Sequence, residues 1–548
     1  MGANAAIAKN NRRNNSGGVM PDPLHVMNTL SIALKHFDSM FKTTRDKEKY
    51  LITFIYLWLT QQLENIKSAD DIPSLSRVTG DEQCDAHRLR IIKMDGNPWV
   101  EYAQRYTTPH DEHWQWQPIP KVLRHFFYHY TQSISTTAIK PLLSHQEKQK
   151  LWHFLNKSWT TPEQYLQYGR LRKDLFFRYF TIVSQRSPLI SAITKSVLLP
   201  EHYRHHASAN AYQKENSDQI RYQIFNMHNH YLDRLDNTSQ QYAINLSINS
   251  SRHKISSLFD PKVTLPSYLN EGEGFGKIYA FKRQRNYQDQ GYTFIQLPSV
   301  EIGSRRCLPK DIVIHFFKHI DDYVNKRATR LKWTKVQLID YYNACTYQLA
   351  FQFLILTGVR PTHAISLKTQ RCYGLKQAIH ADKGRYRVIY LCDFLQQSIR
   401  DYLSLQKDIL TQLKVETTSP YLWFLLDNKS QPLHLNAKMM RQFMQQHWPN
   451  KDKDNIDPYC LRHTFAQLAL TAINKKEKEL LLTPQQIDRL MGHSSFGEHL
   501  GSDYCFPPNR KILLAFLNSL PTELKFTLHS KRLENTNQSE EDDHEKPL

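Results

Sequence analysis

Clustered cysteine, glycine and long apolar runs are all scarce in this 548-residue chain, and each shortage removes a class of function. The 7 cysteines are scattered, odd in number and nowhere spaced as CxxC. That pattern argues against a disulfide framework and a cysteine-held zinc site, and for a reducing compartment. Cys460 and Cys505 stand near the motifs described below, but neither has the context of a thiol enzyme. The longest apolar run, Tyr50 to Leu59, is too short to cross a bilayer core of about 30 Å. The opening residues, MGANAAIAKNNRRNN, hold no apolar stretch of the export type, and Ala6 breaks the myristoylation pattern that Gly2 begins. Among 17 glycines, the run Gly272-Glu273-Gly274-Phe275-Gly276-Lys277 invites a phosphate-loop reading. The spacing is not GxxxxGK followed by Ser or Thr, and Ile278 comes after the lysine, so that reading is excluded.

Positive charge, by contrast, is in excess. The formal net charge is +20 and the pI is near 9.4. Such a balance favours polyanion partners through counterion release, and nucleic acid is the usual one. The plainer alternative is a soluble basic protein without a polyanion partner. Aromatic residues at 12% argue against disorder over most of the length. A chain this long accommodates about three domains of roughly 150 residues.

Residues 1–22 are polar and rich in Asn and Gly, and read as disordered. Residues 23–135 read as an N-terminal helical domain of unassigned role. Leu51, Phe54, Ile55, Leu57 and Trp58 give it one apolar face, while Asn97-Pro98-Trp99 and His110 to Pro120 read as loops with aromatic anchors. Residues 136–257 are again helical in pattern. Thr161-Pro162-Glu163 is a helix start, followed at helical spacing by Tyr165, Tyr168, Leu171, Leu175 and Phe176, with Arg170, Arg172, Lys173 and Arg178 interleaved. That basic face is either a DNA footprint or the solvated side of an ordinary bundle. Residues 258–307 read as a linker with a basic β-hairpin: strands Ile278 to Phe281 and Tyr292 to Ile295, with Lys282, Arg283 and Arg285 beside the first. Residues 308–525 form a further domain, and 526–548 end in an acidic tail containing Glu540-Glu541-Asp542-Asp543. The expected fold class is mainly α with small β-hairpins, an α+β fold.

Five short patterns in 308–525 carry the chemistry. The first is Leu356-Thr357-Gly358-Val359-Arg360-Pro361. Gly358 suits the left-handed position that closes a helix, and Pro361 the first turn of a following one. This predicts Arg360 at a helix–helix junction, near a helix N-terminus that could hold an anion. Asp382-Lys383-Gly384 is a turn before a strand over Arg385 to Leu391. YCLRHTFAQ, from Tyr459 to Gln467, sets Arg462-His463 in an apolar helical pattern. Met491-Gly492-His493-Ser494-Ser495 follows, and then Tyr504, after which none of the 29 tyrosines occurs. Arg510 to Leu520 reads as a short amphipathic helix.

In this order the patterns resemble the catalytic domain of tyrosine recombinases, the phage integrases and Xer-type resolvases. That family runs TGxR, a lysine on a β-hairpin, HxLRHTFAT, LGHSS, then a tyrosine. The resemblance covers residues 300 to 525. It implies a site-specific DNA recombinase or integrase of a bacterial mobile element, located with DNA in the bacterial cytoplasm. The implied partners are double-stranded DNA, held in a C-shaped clamp with 136–257 as the core-binding half, and further copies of the chain as a homo-tetramer on paired sites. Accessory proteins of the element are also implied, but no membrane. No cofactor and no metal is expected. The helix at 510–520 would dock either on a neighbouring subunit or on its own domain.

The implied catalytic residues are Arg360, Lys383, Tyr459, Arg462, His493 and Tyr504, with Lys376 as the alternative lysine. The residue types suit the task. Two arginines clamp the non-bridging phosphate oxygens with planar, permanently charged forks, and His493 adds a donor. Lysine can protonate a leaving 5′ oxygen when nearby cations lower its pKa. Tyr504 attacks phosphorus to give a 3′-phosphotyrosine and a free 5′-hydroxyl, so the bond energy is conserved without ATP. His463 is expected to orient its neighbours.

Four departures mark a divergent branch. Tyr459 stands where the family has histidine, and a phenol with pKa near 10 is a poor base at neutral pH. His363 stands where the family has an acidic residue. The interval from His493 to Tyr504 is longer than usual, and Asn474 to Glu479 is a basic insertion. Two other outcomes therefore stay open: a recombinase-like DNA-binding protein without catalysis, and a type IB topoisomerase or hairpin telomere resolvase using the same chemistry.

Overall fold

A computed structural model of the chain describes residues 22–42, 47–79, 84–94, 97–107, 112–134, 140–157, 159, 171, 173–187, 190–199, 212–248, 257–260, 262–266, 269, 287–289, 292–294, 299–328, 333–362, 365–382, 385–416, 419–449, 456–474, 479–482, 484–492 and 507–528. The fold is α+β, with helices predominating. It divides into two compact units: Met1–His205 with Glu215–Ile302, and His206–Lys214 with Gly303–Leu548. Among the described residues no helix is long and apolar enough to cross a membrane.

The first unit packs helices α1 (Pro23–Met40), α2 (Lys47–Leu59), α3 (Arg124–Gln132), α4 (His145–Asn156), α5 (Asp174–Arg186), α6 (Ala192–Leu198) and α7 (Ser217–Gln241) with a four-stranded sheet. The strands are β1 (Ser76–Arg77), β2 (Arg88–Met94), β3 (Asn97–Thr107) and β4 (Glu112–Pro118), paired in that order. Asp22 caps α1 by accepting from the His25 N–H at 2.6 Å, with Pro23 in the first turn. The boundary that the sequence suggests at 135–136 falls inside one continuous core. Rings from both sides of it meet there: Phe54 with Phe154 at 6.0 Å, Trp58 with Phe176 at 5.2 Å and Trp58 with Tyr231 at 6.2 Å.

The sheet corrects two readings. The stretch 110–120, which reads as a loop, contains β4, and 23–135 is not purely helical. β4 is covered on both faces, with Trp116 buried on one and Gln115 and Gln117 on the other, so its polar half does not show as solvent-facing alternation. Gln117 Nε2 spends a hydrogen bond on the carbonyl of Arg221 in α7 at 3.0 Å. Beside it Arg90 donates to Glu101 from Nε and Nη2 at 2.8 and 2.6 Å, all of it fully buried.

Two basic side chains at the start of α5 are engaged locally. Lys173 Nζ donates to the Ile66 carbonyl at 2.7 Å, and Arg178 pairs with Asp174 at 3.3 Å. Arg170, Arg172, Tyr165, Tyr168 and the helix start at 161–163 lie outside the described residues, as do 278–281, 282–285 and 272–277. Tyr292–Phe294 (β6) is a strand as expected. Its partner, however, is Tyr287–Asp289 (β5), two residues away, the spacing of a tight hairpin with Gly291 between.

The second unit is built on α9 (Lys335–Thr357), which follows α8 (Lys310–Ala328). Thr334 and Gln337 form a capping box at its start. α9 is buried on nearly every side, which explains its continuous apolar pattern. A three-stranded antiparallel sheet follows, β7 (Cys372–Tyr373), β8 (Gln377–Asp382) and β9 (Arg385–Tyr390), with β8 central. Helices α10 (Asp393–Gln412), α11 (Ala437–His447), α12 (Tyr459–Thr471), α13 (Pro484–Met491) and α14 (Pro507–Glu523) complete it.

The helix expected at 510–520 is α14, and it packs within its own unit. Phe516 lies 5.7 Å from Phe465 of α12, and Asn518 exchanges two 2.9 Å hydrogen bonds with Asp393 at the start of α10.

Candidate active site

Tyr459, Arg462 and His463 fall at helical positions i, i+3 and i+4 of α12 and so share one face. Arg462 is 1% exposed. Its Nη1 donates to the carbonyl of Gly358, and its Nη2 to the carbonyl of Met491 at 2.6 Å. One guanidinium thus ties together the TGVR, RHTFAQ and MGHSS stretches, which lie far apart in sequence.

Arg360, two residues beyond Gly358, is also buried. Burial, and then the Arg360 charge, hold Arg462 below its ordinary pKa, although Tyr212 and Tyr459 oppose this. Two desolvated cations that repel each other form a site whose electrostatics improve when an anion enters.

Two phenols and an imidazole line the same face. The Tyr212 and Tyr459 hydroxyls are 3.2 Å apart, and the Arg462 guanidinium lies 5.4 Å over the Tyr212 ring. Burial, then the Tyr212 hydroxyl, raise the Tyr459 phenol against the pull of both arginines. Burial also acts to raise the Tyr212 phenol. There, however, the Arg462 charge, hydrogen bonds from Tyr459 and Arg462, and Arg360 outweigh it, and the net shift is downward. His463 Nδ1 is 2.8 Å from Ser304 Oγ, and its ring packs 4.5 Å from Tyr212 and 5.3 Å from Tyr459. Burial, Arg306 and Arg462 push its pKa down to about 4, so it is neutral at physiological pH. Arg306 stands 5.5 Å over the Tyr459 ring.

Two glycines make this convergence possible. Gly358 ends α9 at φ +63°, and a Cβ there would meet the Phe465 ring at 2.3 Å. No other residue suits both the left-handed turn and the close approach. Gly492 (φ +64°) lies against Arg387, whose Nε would be 2.6 Å from an added Cβ. Arg387 of β9 donates to the Leu490 carbonyl at 2.8 Å, and Arg489 of α13 donates back to the Val388 carbonyl at 3.0 Å. The hairpin formed by β8 and β9 is thereby fastened to α13.

The structure brings together Arg360, Arg462, Tyr459 and His463. Lys383, His493 and Tyr504, with His363 and Cys505, lie outside the described residues. Lys376 lies in the turn before β8, where its N–H donates to the Tyr373 carbonyl at 3.1 Å. The helix predicted after Arg360 is absent among the described residues of 359–371, where only a 3-10 turn, Thr369–Arg371, occurs. The backbone there is spent on an extended neighbour instead: Leu422 N–H donates to Leu367 O at 2.8 Å and Thr369 N–H to Pro420 O at 2.9 Å. Arg360 therefore does not stand at the N-terminus of a described helix.

Sequence reasoning missed Tyr212, Ser304, Arg306 and Arg387. Tyr212 lies 247 positions before Tyr459 and carries no motif, so no local signal could have found it. Cys460, next to the site, is buried and its thiol pKa is raised, chiefly by that burial, as in an inert structural cysteine. Among the described residues no group of three or more His, Cys, Asp or Glu is placed to hold a metal.

No family model matches this chain, and no curated protein matches it. Solved structures similar to this chain include two recombinases. One is XerH site-specific recombinase bound to difH substrate in a pre-cleavage complex, 15% identical, covering 51% of this chain and 76% of that one, with a TM-score of 0.24. The other is XerA recombinase, 13% identical, covering 66% of this chain and 92% of that one, with a TM-score of 0.21. Likeness at this level carries no argument about the site, which rests on the residues themselves.

Proposed function

We propose that this chain is a site-specific DNA strand transferase of the tyrosine-recombinase type. The observation that carries the reading is the buried, mutually repelling pair Arg360 and Arg462, locked by Arg462 to the backbone of both neighbouring motifs. Such a pair suits one phosphodiester, with each fork on a different non-bridging oxygen. In the proposed reaction Tyr504 Oη bonds to phosphorus as the phenol passes its proton to solvent water. The bond from phosphorus to the 5′ oxygen breaks, and that oxygen takes a proton from Lys383. His493 adds a hydrogen bond to the phosphate. A second 5′-hydroxyl reverses the step on another strand. Duplex DNA as partner, a tetramer on paired sites and a DNA-gripping role for the first unit belong to the same reading.

A covalent-trapping assay tests it. Full-length protein is mixed with a pool of nicked duplexes of randomised sequence and run on a denaturing gel beside Tyr504→Phe. A DNA-linked band in the wild type alone is the expected result, and an equal band in Tyr504→Phe would sink the assignment. A second reading, binding without cleavage, draws on the raised phenol of Tyr459, which cannot act as a base near neutral pH. Selective binding from the pool with no linked band would favour it.

A further inference from the structure

We propose that Tyr212 is a further positioning residue of this site: its phenol joins Tyr459 to Arg462 and holds the two in fixed relation. The inference rests on the reading above only in taking the arginine pair as the place where phosphate is held.

Residues 206–214 belong with the second unit, although those on either side belong to the first. The described part is laid along the site. The Lys214 N–H donates to Gln467 Oε1 of α12 at 2.9 Å, and the Ser304 N–H to the Gln213 carbonyl at 2.7 Å. Immediately before these anchors, Tyr212 meets all three side chains on the working face of α12. Its ring packs on His463 and under the Arg462 guanidinium, and its hydroxyl reaches Tyr459.

A ring that only filled space would not need its hydroxyl set between a cation and a second phenol. The Tyr212 and Tyr459 hydroxyls share one hydrogen bond at 3.2 Å, and the Arg462 and Arg360 charges act on both phenols. The remaining groups on this face are Arg306 over Tyr459 and the neutral His463 on Ser304. Tyr212 therefore holds the Arg462 guanidinium over its ring and the Tyr459 hydroxyl beside its own.

The test uses full-length wild type, Tyr212→Phe and Tyr212→Ala. Tyr212→Phe keeps the ring and so the packing. It is expected to form the DNA-linked band on the nicked pool roughly tenfold to hundredfold more slowly, with gel-shift binding unchanged, because small misplacements of a reacting group have that effect. A wild-type or faster rate in Tyr212→Phe overturns the proposal, whichever way Tyr212→Ala behaves. If the wild type forms no band, the strand-transfer reading falls, and phenol ionisation followed by ultraviolet absorbance decides the rest. The wild type minus Tyr212→Phe difference should then show one phenol ionising below the usual range. Inorganic phosphate should move it upward by neutralising the arginine field. A difference that is missing, or indifferent to phosphate, overturns the proposal on its own.

Discussion

Arg462 Nη2 donates to the carbonyl oxygen of Met491 at 2.6 Å, two residues before His493. The same guanidinium holds the carbonyl of Gly358, two residues before Arg360. Arg462 is thus a charge and also a spacer that sets the distance between the two neighbouring motifs. A planar fork can do both at once, because its donors point in fixed directions.

Arg462→Lys separates these roles. A lysine keeps the charge, but its compact ammonium cannot span two carbonyls and an anion in fixed directions. Single-turnover formation of the DNA-linked band is expected to fall roughly hundredfold to thousandfold, the usual loss for a preorganised donor. Gel-shift affinity, dominated by many phosphate contacts, should change little. A lysine variant that reacts at the wild-type rate would refute the spacer role.

Gly358→Ala should unfold the second unit in preference to the first. Alanine at φ +63° costs about 1–2 kcal/mol, and forcing its Cβ against the Phe465 ring adds about 1–3 kcal/mol. Pulse proteolysis in urea reports each unit by its own fragments. The midpoint for second-unit fragments is expected to drop while that for first-unit fragments holds. Phe465→Leu in the Gly358→Ala background should recover the clash but not the backbone strain. Equal midpoints in Gly358→Ala and wild type would show that the turn adjusts freely.

Gly358 also shows what could be read from the chain. A glycine closing a long apolar helix is a local signal, and it predicts the left-handed turn that is found. The strand over Arg385–Tyr390 and the helix Pro507–Glu523 were legible for the same reason: their periodicity is local. What failed was non-local. β4 is buried on both faces, so nothing in its alternation separates it from a loop with aromatic anchors. The stretch after Arg360 has helix-start chemistry at Pro361, but residues 420–423 claim its hydrogen bonds. At the site, Arg360 and Arg462 sit in motifs with recognisable spacing. Tyr212 is a lone tyrosine among 29, placed by the path of the chain and by no pattern around it.

The last prediction concerns acid. His228 in α7 is fully buried, 3.1 Å from the Leu59 carbonyl and 5.3 Å from the Phe180 ring, and burial holds its pKa down at about 4. Its value in the unfolded chain is about 6.5. Between these two pH values the unfolded chain takes up a proton that the folded chain refuses. The stability that His228 contributes is therefore complete above pH 6.5 and is lost as pH falls toward 4, about 3 kcal/mol in all for a group with no access to water. His463 in the second unit moves in the same direction over the same window. His228→Gln keeps a donor for the Leu59 carbonyl and removes the titration. The urea midpoint of first-unit fragments, followed from neutral pH to about pH 4, should fall less steeply in the variant. The carboxylates are common to both proteins and cancel in the difference. Parallel profiles would mean that His228 reaches water before the unit unfolds, and the first-unit core around α7 would then open more readily than its packing implies.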